Sequence, residues 1–111
     1  MFDDAPLHAL RVPEGWCIAY NDLREYPPDH PDAWTLVRKS DLLMARHDRR
    51  NRLLDLGWYP DGDKDGCYLV EVFEGDCAGR VLHAFETTDR AEVIAEVERL
   101  FETIAGQLAT P

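Results

Sequence analysis

The string of this chain that most resembles a chemical motif is Asp61-Gly62-Asp63-Lys64-Asp65-Gly66. It matches the first half of a calcium loop, with three carboxylates at alternate positions around one hard cation and a glycine for the sharp turn. The second half departs from that pattern. The twelfth position, which needs a bidentate Glu, is Val72, and Glu71 stands one residue short. Both flanks read as strands, not as the helices of an EF-hand. The plainer reading is a hairpin turn in which Asp caps its own backbone and Gly supplies positive φ, and no metal or cofactor is assigned.

Cys67 and Cys77 with His47 or His83 would be the ligands of a zinc site. Such sites bring ligands in close pairs like Cys-x-x-Cys or His-x3-His, and the chain has neither. The expectation is buried structural thiols. The four histidines and the carboxylates are scattered, and neither a phosphate-binding glycine loop nor a nucleophile elbow is present. No catalytic residue is assigned, and the balance leans away from an enzyme.

Charge is more informative. Six of the 12 basic residues (Arg38, Lys39, Arg46, Arg49, Arg50, Arg52) fall in one window of the sequence. Against Asp41 and Asp48 they make residues 38–52 +4, so the rest of a chain that totals −10 stands at −14. Arg46, Arg49, Arg50 and Arg52 would tip a hairpin able to grip a phosphate or carboxylate, since the guanidinium fork binds both bidentately. The competing reading is that they neutralise the acidic surface around them. The acidic remainder keeps a protein soluble and also steers association with a basic partner.

These groups belong to a chain of 111 residues with 45% hydrophobic and 10% aromatic content, enough for one packed domain over 1–111 and too short for a second. A net charge of −10 argues against nucleic acid, which selects clustered Lys and Arg. No apolar run approaches the ~18–20 residues that span a bilayer. The start Met1-Phe2-Asp3-Asp4-Ala5-Pro6 lacks the basic and apolar regions of a secretory signal, and three unpaired cysteines suit a reducing cytoplasm.

Residues 1–15 read as an irregular lead-in. Trp16 to Tyr26 has a strand pattern in which Trp16, Ile18 and Tyr20 alternate onto one face. Pro27, Pro28 and Pro31 end it. Trp34–Val37 and Asp41–His47 read as extended, although Leu42, Leu43, Met44 and Ala45 are also good helix formers, so strand and helix both stay open for 38–47. Asp48–Asn51 suits a hairpin loop, and Arg52–Tyr59 a strand with Leu54, Leu56 and Trp58 on one face. Strands are also predicted over Cys67–Phe73 and Arg80–Glu86, joined by a turn at Gly75–Gly79. Asp89, with Glu92 completing a capping box, opens an amphipathic helix whose apolar stripe runs from Val93 to Leu108.

The expected fold is therefore α+β: an antiparallel meander of four to five strands with a C-terminal amphipathic helix packed on one face. Apolar residues occur on both faces of the strands. The second face is covered either by residues 1–15 and the proline loop or by another chain, possible homodimerisation included. Trp16, Tyr20, Trp34, Trp58 and Tyr59 are the aromatics to follow.

The run Leu54-Asp55-Leu56-Gly57-Trp58-Tyr59-Pro60, the Asp/Gly turn after it, Gly75-Asp76 and the acidic C-terminal helix resemble small bacterial immunity proteins of polymorphic and contact-dependent toxin systems. The resemblance spans roughly residues 50–105 and carries over no contact residues. It implies a non-catalytic, cytoplasmic protein that binds a cognate toxin, often a basic nuclease, and occludes it. On this reading the partner-binding groups are the acidic turns Asp61, Asp63, Asp65 and Asp76 with exposed Trp58 and Tyr59. The alternative is a small ligand- or metal-binding module using the Asp61–Asp65 loop or the arginine-rich hairpin.

Overall fold

The computed structural model describes Leu7 and residues 9–23, 41–63 and 65–106. Five strands, β1 (Trp16–Asn21), β2 (Leu43–His47), β3 (Arg52–Tyr59), β4 (Cys67–Glu74) and β5 (Val81–Thr87), precede one helix, α1 (Arg90–Ala105). Each strand pairs antiparallel with the next, so spatial order follows chain order as in a meander. This is the α+β architecture that the hydrophobic pattern predicts. Leu43–His47 is strand and not helix, because Leu43 and Ala45 alternate into the core between β1 and β3. The predicted stretch 34–37 and the proline loop 27–32 lie outside the described residues, as does Trp34.

Local chemistry sets the turns. Asn51 closes the β2–β3 hairpin at φ 58, a left-handed conformation that Asn tolerates, and its N–H donates to Asp48 O at 3.1 Å. Between β3 and β4, Asp63 N–H donates to Pro60 O, Gly66 N–H donates to Asp63 O, and the Asp63 carboxylate accepts the Asp65 N–H at 2.8 Å. A Cβ at Gly66 would sit 2.3 Å from Tyr59 O, so only glycine lets β4 leave this turn against β3.

Helix α1 starts as expected at Asp89, whose Oδ1 accepts the N–H groups of Ala91 and Glu92. The reciprocal half of the capping box is different. The Asp89 N–H donates to Thr87 Oγ1 at 3.0 Å, and the Thr87 hydroxyl donates to the Glu92 carboxylate. The last residue of β5 thus stands between the two members of the box.

The helix lays Val93, Ile94, Val97, Leu100, Phe101 and Ile104 over one face of the sheet, built from Ala45, Leu54, Leu56, Tyr68, Val70 and Val72, all buried. Trp16 links the two layers: its indole N–H donates to Phe101 O at 2.9 Å, and the rings lie 4.6 Å apart. Glu96 adds a polar tie, accepting both nitrogens of an Arg99 fork and lying 2.7 Å from His83 Nε2 on β5. That double partnership holds its carboxyl below the usual range, the Arg99 bonds foremost. Within the lead-in, Leu10 and Arg11 lie on the helix side: Leu10 packs on the core and the Arg11 N–H donates to Glu98 at 2.9 Å.

Phe101→Ala removes the fully buried ring in this interface and should cost about 3–5 kcal/mol. Asp89→Ala should cost only about 1 kcal/mol. Urea unfolding followed by circular dichroism measures both.

Candidate functional site

Helix and lead-in together leave one sheet face uncovered among the described residues, and register determines what stands on it. One row crosses all five strands: Tyr20, Met44, Asp55, Glu71 and Ala84 are successive cross-strand partners. A second row joins Cys17, Arg46, Leu53 and Phe73. Toward the other end come Gly57, Leu69 and Glu86, then Tyr59 and Cys67. Gly57 places no side chain between Asp55 and Tyr59 on the same face of β3.

Tyr20 reaches this face through a bulge. Simple alternation from Trp16 and Ile18 assigns it to the helix side, but the register shifts between Ile18 and Tyr20, so Tyr20 pairs with Met44 instead of Leu43. The extra residue, Ala19, turns the remainder of β1 over. Tyr20 is 44% exposed as a result. A matching shift in β5 leaves Leu82 exposed beside β4.

Asp55 and Glu71 are directly opposed, an arrangement in which like charges repel. The Asp55 carboxyl is pushed up to about 6, first by burial and then by Asp41 and Glu71. The same field raises the Tyr59 hydroxyl, after burial, through Asp55, Asp41, Glu71 and Asp61. The Cys67 thiol is raised by burial and by Glu86. The basic side chains with ion-pair partners are occupied elsewhere, Arg46 with Asp48, Arg80 with Glu74 and Arg99 with Glu96. Beside Asp55 a cavity of about 290 Å³ opens, lined among the described residues by Tyr20, Asp41, Leu43, Met44 and Asp55.

The residues singled out in the sequence are distributed differently. Trp58, expected to be exposed, is a core residue at 2% exposure, its ring edge-on to Tyr68 and its indole N–H donating to Asp63 O at 2.6 Å. Its place in the alternation with Leu54 and Leu56 explains the correction. Tyr59 is half-buried on the uncovered face, and Asp61, Asp63 and Asp65 are exposed in the turn beyond it. Asp76 lies in the opposite turn, at the far end of the eight-residue β4, about 25 Å of strand away. It caps that turn by accepting the Ala78 N–H. One patch therefore gathers Tyr59 and the 61–65 turn, and Asp76 is not part of it. The thiols also differ from expectation, since Cys17 and Cys77 are exposed and only Cys67 is half-buried.

The arginine-rich hairpin does not converge on one point. Arg50 Nη2 donates to Ala105 O at the end of α1, and Arg52 Nη1 donates to the carbonyls of Arg50 and Asn51. Arg49 and Arg50 line a second cavity of about 420 Å³ with Glu14, His47 and Glu102. His47 is 3% exposed, its Nδ1 accepts the Arg50 N–H, and burial, with Arg50 and Arg49 beside it, lowers its pKa. Two guanidinium groups facing two carboxylates at a helix C-terminus give this cavity no clear preference for an anion.

Among the described residues no group of three or more His, Cys, Asp or Glu side chains is placed to hold a metal ion, and no helix is long and apolar enough to cross a membrane. Comparison with protein-family models, curated proteins and solved structures finds no match.

Because the folded protein holds the Asp55 proton more tightly than the unfolded chain does, stability falls as pH rises from about 3.8 to about 6. The full shift would correspond to about 3 kcal/mol, reduced here by partial solvent access. Asp55→Asn should therefore stabilise the protein by about 1 kcal/mol near neutral pH and have little effect near pH 4. Melting curves across that range measure the difference.

Proposed function

We propose that this chain is a non-enzymatic protein-binding domain that engages a basic protein partner through the sheet face that the described residues leave uncovered and the Asp61–Asp65 turn at its end. The observation that carries this reading is the Asp55–Glu71 pair, two carboxylates in register on a sheet face, with Asp41 close enough to add to their repulsion. Such a pair costs stability in the isolated protein. A partner that brings positive charge to it recovers that cost on binding.

The surroundings suit the same role. Tyr20, Tyr59, Leu69 and Phe73 supply aromatic and apolar contact around the acids, as the desolvated centre of a protein interface requires. A chain at −10 also attracts basic proteins from a distance and raises their association rate. The finer form of the proposal is an immunity protein that neutralises a basic toxin, such as a nuclease, by occluding it. The acidic face would then compete for the cationic surface with which a nuclease holds its phosphate backbone.

Capture by the tagged protein from its native lysate at moderate salt, followed by mass spectrometry, tests the reading. The expected result is one basic protein in stoichiometric amount, its affinity reduced at least tenfold by the double substitution Asp55→Asn/Glu71→Gln and reduced further as salt rises. Recovery of the chain alone, or a partner indifferent to that substitution, would overturn it.

A further inference from the structure

We infer that the cavity between β1, β2 and β3, walled by Tyr20, Met44, Asp41 and Asp55, receives a single arginine side chain of the protein partner. The inference rests on the protein-binding reading above and specifies where and how that partner is gripped. At about 290 Å³ the cavity is at or below the size of pockets that take whole small-molecule ligands, and it suits one long side chain.

Its walls divide the task. Met44 and the Leu43 segment of β2 offer apolar surface for an aliphatic stem. Asp41 and Asp55 supply carboxylate oxygens from two different elements, the entry to β2 and the middle of β3. A planar guanidinium has five N–H donors and can meet both acids at once, whereas an ammonium is a compact point charge. The Tyr20 ring adds a face on which a guanidinium stacks.

Acidity alone would not select this ligand, because any cation answers it. The selection comes from the aromatic ring and the thioether beside the acids. The bulge at Ala19 is what puts the ring there, since without it Tyr20 would be turned to the helix side. Neither Asp41 nor Asp55 has an ion-pair partner among the described residues, so a guanidinium entering the cavity displaces no cation that those residues supply.

The test uses the whole chain with its methionine methyl groups labelled with carbon-13, and N-acetyl-arginine amide as the probe. The Met44 methyl signal should shift saturably, with a dissociation constant on the order of 1 mM for so small a probe. N-acetyl-lysine amide should bind several-fold more weakly, and the uncharged isostere N-acetyl-citrulline amide should produce no saturable shift. Asp41→Asn should weaken arginine binding about tenfold and Tyr20→Leu about threefold, with the amide spectrum otherwise unchanged. No saturable shift, or equal response to citrulline, overturns the pocket. So does a captured partner whose affinity is unaffected by Asp41→Asn and Tyr20→Leu, which leaves the protein-binding reading intact. Failure to capture any partner overturns that reading, and the amide titration still decides the pocket.

Discussion

A sixteen-residue helix is about 24 Å long and about 10 Å across, while a five-stranded sheet is close to 20 Å wide. One helix can therefore cover one face of this sheet and no more. The position of every other feature follows from which face α1 takes. Its apolar stripe meets Leu54, Leu56, Val70 and Val72, and Trp16 ties the far side of the sheet to Phe101. Leu10 packs on that same side, and the Arg11 N–H bonds Glu98 there. The second face receives whatever alternation places there, and here that is an acidic row edged by aromatic and apolar side chains.

Much of this was legible before any coordinates. β3 and β4 show period-2 alternation over their full lengths, and α1 shows a cap and an apolar stripe, so their existence and facing follow from residue type. Three features depart from the sequence reading, each for its own reason. Simple alternation turns Tyr20 to the helix side, but a bulge depends on how two strands fit, and one strand's sequence does not contain that information. The turn-flanking position of Trp58 suggests a contact residue, but its alternation with Leu54 and Leu56 places it inside. Composition groups Asp76 with Asp61–Asp65, but the intervening β4 separates them in space.

The candidate site shows the same limit from another direction. Asp55 and Glu71 are sixteen positions apart, and nothing in either neighbourhood announces the other. Only the register of β3 on β4 opposes them. A signal was available in hindsight: each is the single charged residue inside an otherwise apolar strand segment, Leu53-Leu54-Asp55-Leu56 and Leu69-Val70-Glu71-Val72. A lone acid interrupting such a run is a local inconsistency of the kind that tends to mark function. The arginine-rich hairpin gave the opposite lesson, because a conspicuous cluster in the sequence is largely consumed by backbone carbonyls in the fold.

The bulge in β1 also constrains how this chain can vary. Along Trp16 to Asn21, length matters more than residue identity. Replacing one side chain alters one contact, but adding or losing a single residue there reverses the facing of everything that follows in the strand. Tyr20 would go to the helix side and leave the exposed face on which it now pairs with Met44. Drift in this lineage should therefore permit substitutions at Cys17, Ile18 and Ala19 while keeping the spacing between Trp16 and Tyr20 fixed.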